Sequence, residues 1–271
     1  MMDNQPLVSV IMGVYNGAAT LEQAVQSVLD QTYRNLELII CDDASTDDTW
    51  ERLQTLAQRD SRIRLVRNTR NQGARGARNR CLEQARGSYI ALLDADDVSM
   101  PARLEKQVEA LGNAPELSFV GTKGQFFTER PGDLQKCYWF VAAPGKEDFL
   151  MTLPFVHASL MFRAEALREL GGYSEKRYVK RSEDYDLLMR AYAKGYRGIN
   201  LPDPLYGIRL DAGTYQRRKY RYRFHECAVK LAGFSRMGLM PRGIPYAIKP
   251  LIVGLLPVGF LNKLKEKYYG Q

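Results

Sequence analysis

Histidine is nearly absent from this chain: two in 271 residues, His157 and His225, cannot build a zinc site of the His or Cys/His kind. Cysteine is scarce as well. The four, Cys41, Cys81, Cys137 and Cys227, have no CxxC spacing, and two fall in apolar segments, which points to reduced cytosolic thiols rather than a disulfide framework. A metal here must be held mainly by oxygen. No stretch approaches the roughly 20 apolar residues that span a bilayer; the segment from Pro250 to Leu261 has 12 residues and is broken by Pro257. The opening MMDNQPLVSVIMGVYN lacks a basic n-region, so it is not read as a secretory signal, and a cytoplasmic protein is expected. Finally, no GxGxxG follows a strand, which argues against a dinucleotide cofactor.

The charge that is present is unevenly placed. After Gln216 there are 12 Lys and Arg against 2 acids, whereas the first 216 residues carry 27 against 29, within an overall net charge of +8. A basic tail is thus attached to a slightly acidic body. The expected division is a catalytic α/β domain over residues 1–212 and a helical extension over 213–271.

The first hundred residues alternate strand and helix. LVSVIM, LELIIC, IRLV and YIALL read as strands, with helices after Thr20, after Thr46 to Asp48, and between Gly73 and Ala85. Thr20 with Gln23 has the spacing of a capping box. This order implies a doubly wound, mostly parallel sheet whose ligands bind beyond the carboxyl ends of the strands. Tyr15-Asn16, Asp42-Asp43, Asn71 to Arg75 and Asp94 to Asp97 all fall there. The next hundred residues suggest a small mixed sheet from LSFVGT, GQFFT and KCYWF, a strand-like VHASLMF, a helix from Arg163 closed by Gly171-Gly172, and an amphipathic helix over SEDYDLLMRAYAKG.

Chemistry concentrates in GSYIALLDADDV, where Asp94, Asp96 and Asp97 follow a buried strand. At about 4 Å and an effective dielectric of about 20, two carboxylates repel by roughly 4 kcal/mol, so a cation belongs among them. Hard oxygen ligands suit Mg2+ or Mn2+; a solvated acidic turn is the competing reading. Tyr15 offers a ring for stacking on a base and Asp43 an acceptor for a base or ribose donor. A packing tyrosine and a helix cap would look the same in sequence.

Taken in order, VSVIMGVYN, ICDDASTDDT, NQGARGARN, YIALLDADD and RSEDYDLLMR resemble the motifs of family 2 glycosyltransferases, inverting enzymes of the GT-A fold, of the kind that build bacterial cell-envelope polysaccharides. The resemblance spans about residues 7 to 210. It implies a nucleotide-sugar-binding α/β domain with donor contacts from Gly13, Tyr15, Asn16, Asp43, Arg75, Asn79, Asp94 and Asp96. It implies a DxD metal site at Asp96 with Asp97, and a general base at Asp184, the second acid of the ED pair. Inversion at an anomeric carbon needs such a carboxylate opposite the leaving group. His157 and Glu183 are expected on the acceptor side. Where many relatives carry a His after Tyr-x-Arg, this chain has Asp211, a further candidate metal ligand.

The tail has two parts. YQRRKYRYRFH alternates basic and aromatic side chains, a pattern shared by nucleic-acid and acidic-surface patches. PYAIKPLIVGLLPVGFLNKLKEKYY could lie on a membrane with Lys263, Lys265 and Lys267 at anionic headgroups, or pack on the domain as a helical hairpin. The sequence therefore predicts a metal-dependent transferase moving sugar from a nucleotide diphosphate sugar, UDP-linked, to a saccharide or polyprenyl-linked acceptor. It would sit peripherally on the inner membrane face through residues 241–271, with no nucleic acid partner. The rival is a non-catalytic nucleotide-binding module whose basic tail docks on membrane or nucleic acid.

Overall fold

The computed structural model describes residues 5–130, 133, 136–138, 140–210 and 220–255. Four strands, β1 (Val8–Val14), β2 (Leu36–Asp42), β3 (Ile63–Arg67) and β4 (Tyr89–Leu92), pair in parallel in the order β3-β2-β1-β4. The helices α1 (Leu21–Leu29), α2 (Thr49–Arg59) and α3 (Gly73–Gln84) connect them, as the alternation predicts. Every residue of β2 and β4 is buried, the signature of strands covered on both faces.

The sheet continues past β4 without a break. Its remaining strands are β5 (Val98–Ser99), β6 (Phe119–Phe127), β7 (Met161–Arg163) and β8 (Gly198–Arg209), and the full order is β3-β2-β1-β4-β7-β6-β8-β5. β7 runs antiparallel to both β4 and β6, while β6 and β8 are parallel. The mixed part is therefore an extension of the parallel sheet.

Local expectations needed four corrections. LSFVGT and GQFFT form one strand with register shifts around Lys123 rather than two. Among its described residues KCYWF supplies an isolated bridge, Cys137 to Gln125, rather than a strand. The first half of VHASLMF is a 3-10 turn over His157–Ser159. The capping box does not form either: Thr20 makes no side-chain cap bond, and its hydroxyl donates at 2.9 Å to Ala95 O, tying α1 to the aspartate loop. Among the unforeseen elements are the long α4 (Arg103–Asn113) and β8.

After the short α5 (Asp148–Met151) and α6 (Ala164–Glu169) comes α7 (Glu183–Ala193), and the extension supplies α8 (Arg221–Arg236) and α9 (Ile244–Leu255). These pack on the domain. Val229, Phe234, Met237, Leu239 and Ala247 join one hydrophobic cluster with Leu187, Leu188, Met189 and Tyr192 of α7. Gly233 makes the approach possible, because a Cβ there would lie 2.3 Å from Met189 Sδ and 3.0 Å from its Cβ. Through residue 255 the extension packs on the domain, although Ile252 and Leu255 remain 60% and 73% exposed. Residues 256–271, with Lys263, Lys265 and Lys267, lie outside the described residues. No helix among the described residues is long and apolar enough to cross a membrane.

Candidate active site

A cleft of about 790 Å3 opens beyond the carboxyl ends of the parallel strands, where a doubly wound sheet places its ligands. Gly13, Tyr15, Asp43, Arg75, Asp94, Asp97, His157, Glu183 and Asp184 all line it. Six separate segments of sequence thus meet in one place.

At one end, Tyr15 is 49% exposed, with its ring at the cleft. Asp43 is buried and highly engaged: one carboxylate oxygen accepts from Asn68 Nδ2 at 2.8 Å and Gln72 N at 2.9 Å, the other from Gly73 N at 2.7 Å. It therefore anchors the amino terminus of α3 as well as facing the cleft. Gly13 serves packing too, since a Cβ there would meet Ala77 Cβ at 2.8 Å and hold α3 off β1.

In the middle lie the carboxylates. Oxygens of Asp94, Asp96 and Asp97 fall within 4.8 Å of one another. Asp97 is buried, its Oδ2 accepting from Tyr206 Oη at 2.8 Å and its Oδ1 from Arg209 N at 2.9 Å. Burial, with Asp94 and Asp96 beside it, pushes the Asp97 carboxyl up to about 8. Asp94 is held the other way. Burial opposes its charge, but the Arg78 guanidinium, paired with it in the cleft floor, brings it below the usual carboxylate range. A cluster of hard oxygens with one carboxyl protonated for want of positive charge fits a divalent cation. Asp96 is exposed beside the cluster and its carbonyl accepts from Arg209 Nε at 2.8 Å.

At the far end α7 presents Glu183 and Asp184 in its first turn, where the helix dipole favours negative charge. Glu183 Oε2 is buried with no hydrogen-bond partner among the described residues. An unmet acceptor in a cleft is suited to a ligand hydroxyl. His157 and Tyr173 meet between the two ends, with Tyr173 Oη 3.1 Å from His157 Nε2. Burial, reinforced by the nearby Arg78, pulls His157 down to about 3, so the ring is neutral.

Not every expected residue reaches the cleft. Asn16 adopts φ +51 and accepts through Oδ1 from Thr46 N at 2.8 Å, locking two loops together behind the site. The Asn79 amide is spent on the Tyr173 backbone, donating to its O and accepting from its N, both at 2.8 Å. Arg75 lines the cleft, yet its Nη1 donates to Lys176 O at 2.8 Å and Ser174 O at 3.3 Å. Asp211 lies outside the described residues. Conversely Arg78, Tyr138, Lys180, Arg181 and Tyr222 line the cleft without having been assigned roles. Tyr222 lies in the basic and aromatic run, the one hint available in the sequence.

Comparison with known proteins agrees with this geometry. The model of "Glycosyl transferase family 2" matches residues 9–171. The chain is 39% identical over 267 residues to EpsE of Bacillus subtilis, classed among glycosyltransferases, covering 98% of this chain and 95% of that protein. It is 32% identical over 224 residues to WfaP of Escherichia coli, a UDP-Glc:alpha-D-GlcNAc-diphosphoundecaprenol beta-1,3-glucosyltransferase, covering 79% and 82%. Among solved structures, TarS of S. aureus with UDP-GlcNAc superposes with a TM-score of 0.70 at 17% identity over 92% of this chain and 79% of that one. The mannosyltransferase PcManGT of Pyrobaculum calidifontis with GDP-Man and Mn2+ gives 0.64 at 23% identity, covering 98% and 81%. The structural likenesses establish the GT-A fold.

Proposed function

The chain belongs to glycosyl transferase family 2, and from that premise we propose that it moves a sugar, with inversion, from a UDP-linked donor to a saccharide or lipid-linked acceptor in surface polysaccharide synthesis. The observation that supports this reading is the convergence of Tyr15, Asp43, Asp94, Asp97 and Asp184 on one cleft, with Asp96 beside the two aspartates in a cluster of hard oxygens. The printed activity of WfaP, a transfer from UDP-Glc to a diphosphoundecaprenol-linked sugar, supports the donor and acceptor classes.

In this reading the nucleoside base stacks on Tyr15 and hydrogen-bonds at Asp43, and the diphosphate lies toward Asp94 and Asp97. Mn2+ or Mg2+ would be held by Asp96 and Asp97, where it offsets negative charge on the departing diphosphate. The protein's own share is positioning and proton transfer. Arg78, itself buried, fixes the part-exposed Asp94 by an ion pair, so that carboxylate keeps one orientation toward ribose or sugar. Glu183 orients the acceptor hydroxyl through its unmet oxygen, and Asp184 takes the hydroxyl proton as the anomeric bond forms on the face opposite the leaving group. His157 is neutral and therefore serves as a hydrogen-bonding group of the acceptor side rather than a cation.

A lipid-linked acceptor would bring the enzyme to the inner membrane face. The presence of Asp184 in the same cleft as Asp94 and Asp97 favours catalysis over a binding module. The test is calorimetric titration with UDP, with and without Mn2+, followed by a hydrolysis screen across nucleotide sugars. Tight binding only with Mn2+, and turnover of a UDP-sugar, is expected. Binding of UDP that is indifferent to metal, or turnover confined to another nucleotide, would overturn the donor assignment.

A further inference from the structure

One side of α9 packs on the domain and the other is bare. Ala247 and Pro250 are buried, and Ala247 joins the cluster that holds Leu187 and Met189 of α7. On the opposite side Ile244, Ile248, Ile252 and Leu255 are 39%, 37%, 60% and 73% exposed. Steps of four, four and three residues set them in one stripe, because a helix turns about 100° per residue. At about 1.5 Å per residue the stripe is roughly 16 Å long. The helix's other exposed residues are Pro245 and Lys249.

This inverts the usual arrangement. A helix laid on a core carries polar residues toward water, whereas α9 carries isoleucine and leucine there. Scattered exposed aliphatic residues need no explanation, but a contiguous stripe marks a surface that something covers. The apolar surface also extends beside the carboxyl end of α9. Tyr220 Oη donates to Leu251 O at 3.2 Å, and a Cβ on Gly254 would lie 2.9 Å from Tyr220 Cε2. Phe224, 55% exposed, packs edge-on against Tyr220 with ring centroids 5.5 Å apart.

Charge selects the occupant. From Tyr220 to Leu255 the chain has six cations, Arg221, Arg223, Lys230, Arg236, Arg242 and Lys249, and one acid, Glu226. That acid is spent on Arg223 at 3.4 Å and Lys230 at 3.2 Å. Arg242, just before α9, and Lys249, three residues before Ile252, are both exposed beside the stripe. In a two-fold contact between copies the face would meet itself, setting these cations against their own kind. A nucleic acid would satisfy the cations but offers its phosphates no apolar layer for the aliphatic side chains. An anionic bilayer surface offers both, with headgroups for the cations and the acyl boundary for the isoleucines.

We propose that the exposed face of α9, with Lys249 and Arg242 at its border, docks this protein on an anionic lipid surface. The docking does not depend on the donor or the acceptor assigned above.

The test sediments the full chain with vesicles of phosphatidylcholine alone, or of phosphatidylcholine and phosphatidylglycerol in equal parts. Binding to the anionic vesicles should be roughly 10-fold stronger or more. Ile252→Glu and Leu255→Glu, both at exposed positions, should each weaken it by roughly 10-fold or more. Lys249→Gln should weaken it about 5-fold, the effect of one cation at the surface. All three variants should keep the melting temperature and the UDP affinity of the unaltered chain, and the UDP titration reads the donor assignment separately. Absence of binding to the anionic vesicles, unchanged binding by both Glu variants, or equal binding to neutral and anionic vesicles would overturn the docking face. So would a dimer of the unaltered chain, seen by analytical ultracentrifugation, that Ile252→Glu converts to monomer, since the face would then belong to a second copy.

Discussion

The hydroxyl of Tyr206 donates to Asp97 Oδ2 at 2.8 Å, and beneath the same ring, 5.3 Å away, lies the fully buried guanidinium of Arg103. A residue of β8 thereby orients a carboxylate of the aspartate loop, more than a hundred positions earlier. Tyr206→Phe removes this bond and the acceptor for Asp94 N. The expected result is a 10-fold or larger loss of Mn2+ affinity with a stability loss of about 1 kcal/mol, checked by metal titration and urea unfolding.

The Asp97 carboxyl, pushed up to about 8 by burial and its acidic neighbours, sets a pH dependence. Its native value lies above the unfolded one, so its contribution to stability is present at acid pH and is lost as pH rises toward 8. A cation replaces the proton. Saturating Mn2+ should therefore raise the melting temperature more at pH 8 than at pH 6, and binding should release close to one proton at pH 7, measured by calorimetry in buffers of different ionisation heat.

His157 runs the opposite way. Its native value near 3 lies below that of an unfolded histidine, so it favours the fold above about pH 6.5 and destabilises it as pH falls from there toward 3. Between pH 6 and 4.5 the His157→Gln variant should lose less stability than the unaltered chain, by up to about 2 kcal/mol. The rate profile between pH 6 and 8 should show no limb from this residue.

Asp184→Asn should reduce transfer by at least 10^3-fold, as expected for loss of a general base together with its charge, while UDP affinity in the presence of Mn2+ stays within 2-fold. Single-turnover assays with a radiolabelled sugar donor read both. Retained turnover would remove Asp184 from its role.

Gly13→Ala should cost roughly 1–3 kcal/mol, because its Cβ would press on Ala77 Cβ at 2.8 Å. Adding Ala77→Gly relieves that contact at a helix cost of about 1 kcal/mol. A double-mutant cycle by chemical unfolding should show the second substitution recovering part of the first loss.

Where the sequence was readable, one physical signal dominated: β1, β2 and β4 are buried on both faces and read as largely apolar runs, so their ends, and the residues at those ends, could be placed. β8 was not legible, because Pro202 and Pro204 interrupt it and its pairing with β6 and β5 keeps it extended. α4 was missed although its apolar spacing is regular, and it buries Arg103 and Gln107, polar residues that sequence assigns to a surface. In the site, carboxylates at strand ends were foreseen, whereas their holders, Arg78 and Tyr206, come from other segments and carry no local mark. Asn79 misled for the same reason. Its motif position suggested a ligand contact, but its amide faces the Tyr173 backbone.

The attachment of α3 at both ends of the donor side has a metrical consequence. Asp43 grips its first backbone amides at Gln72 and Gly73, and Arg78, little more than a turn on, grips Asp94. Since a helix advances about 1.5 Å per residue, that stretch is a gauge about 8 Å long between Asp43 and the carboxylates. A gauge discriminates by span. Ligands too short to reach from Tyr15 to the aspartates, such as a free nucleoside, can satisfy only one end of it.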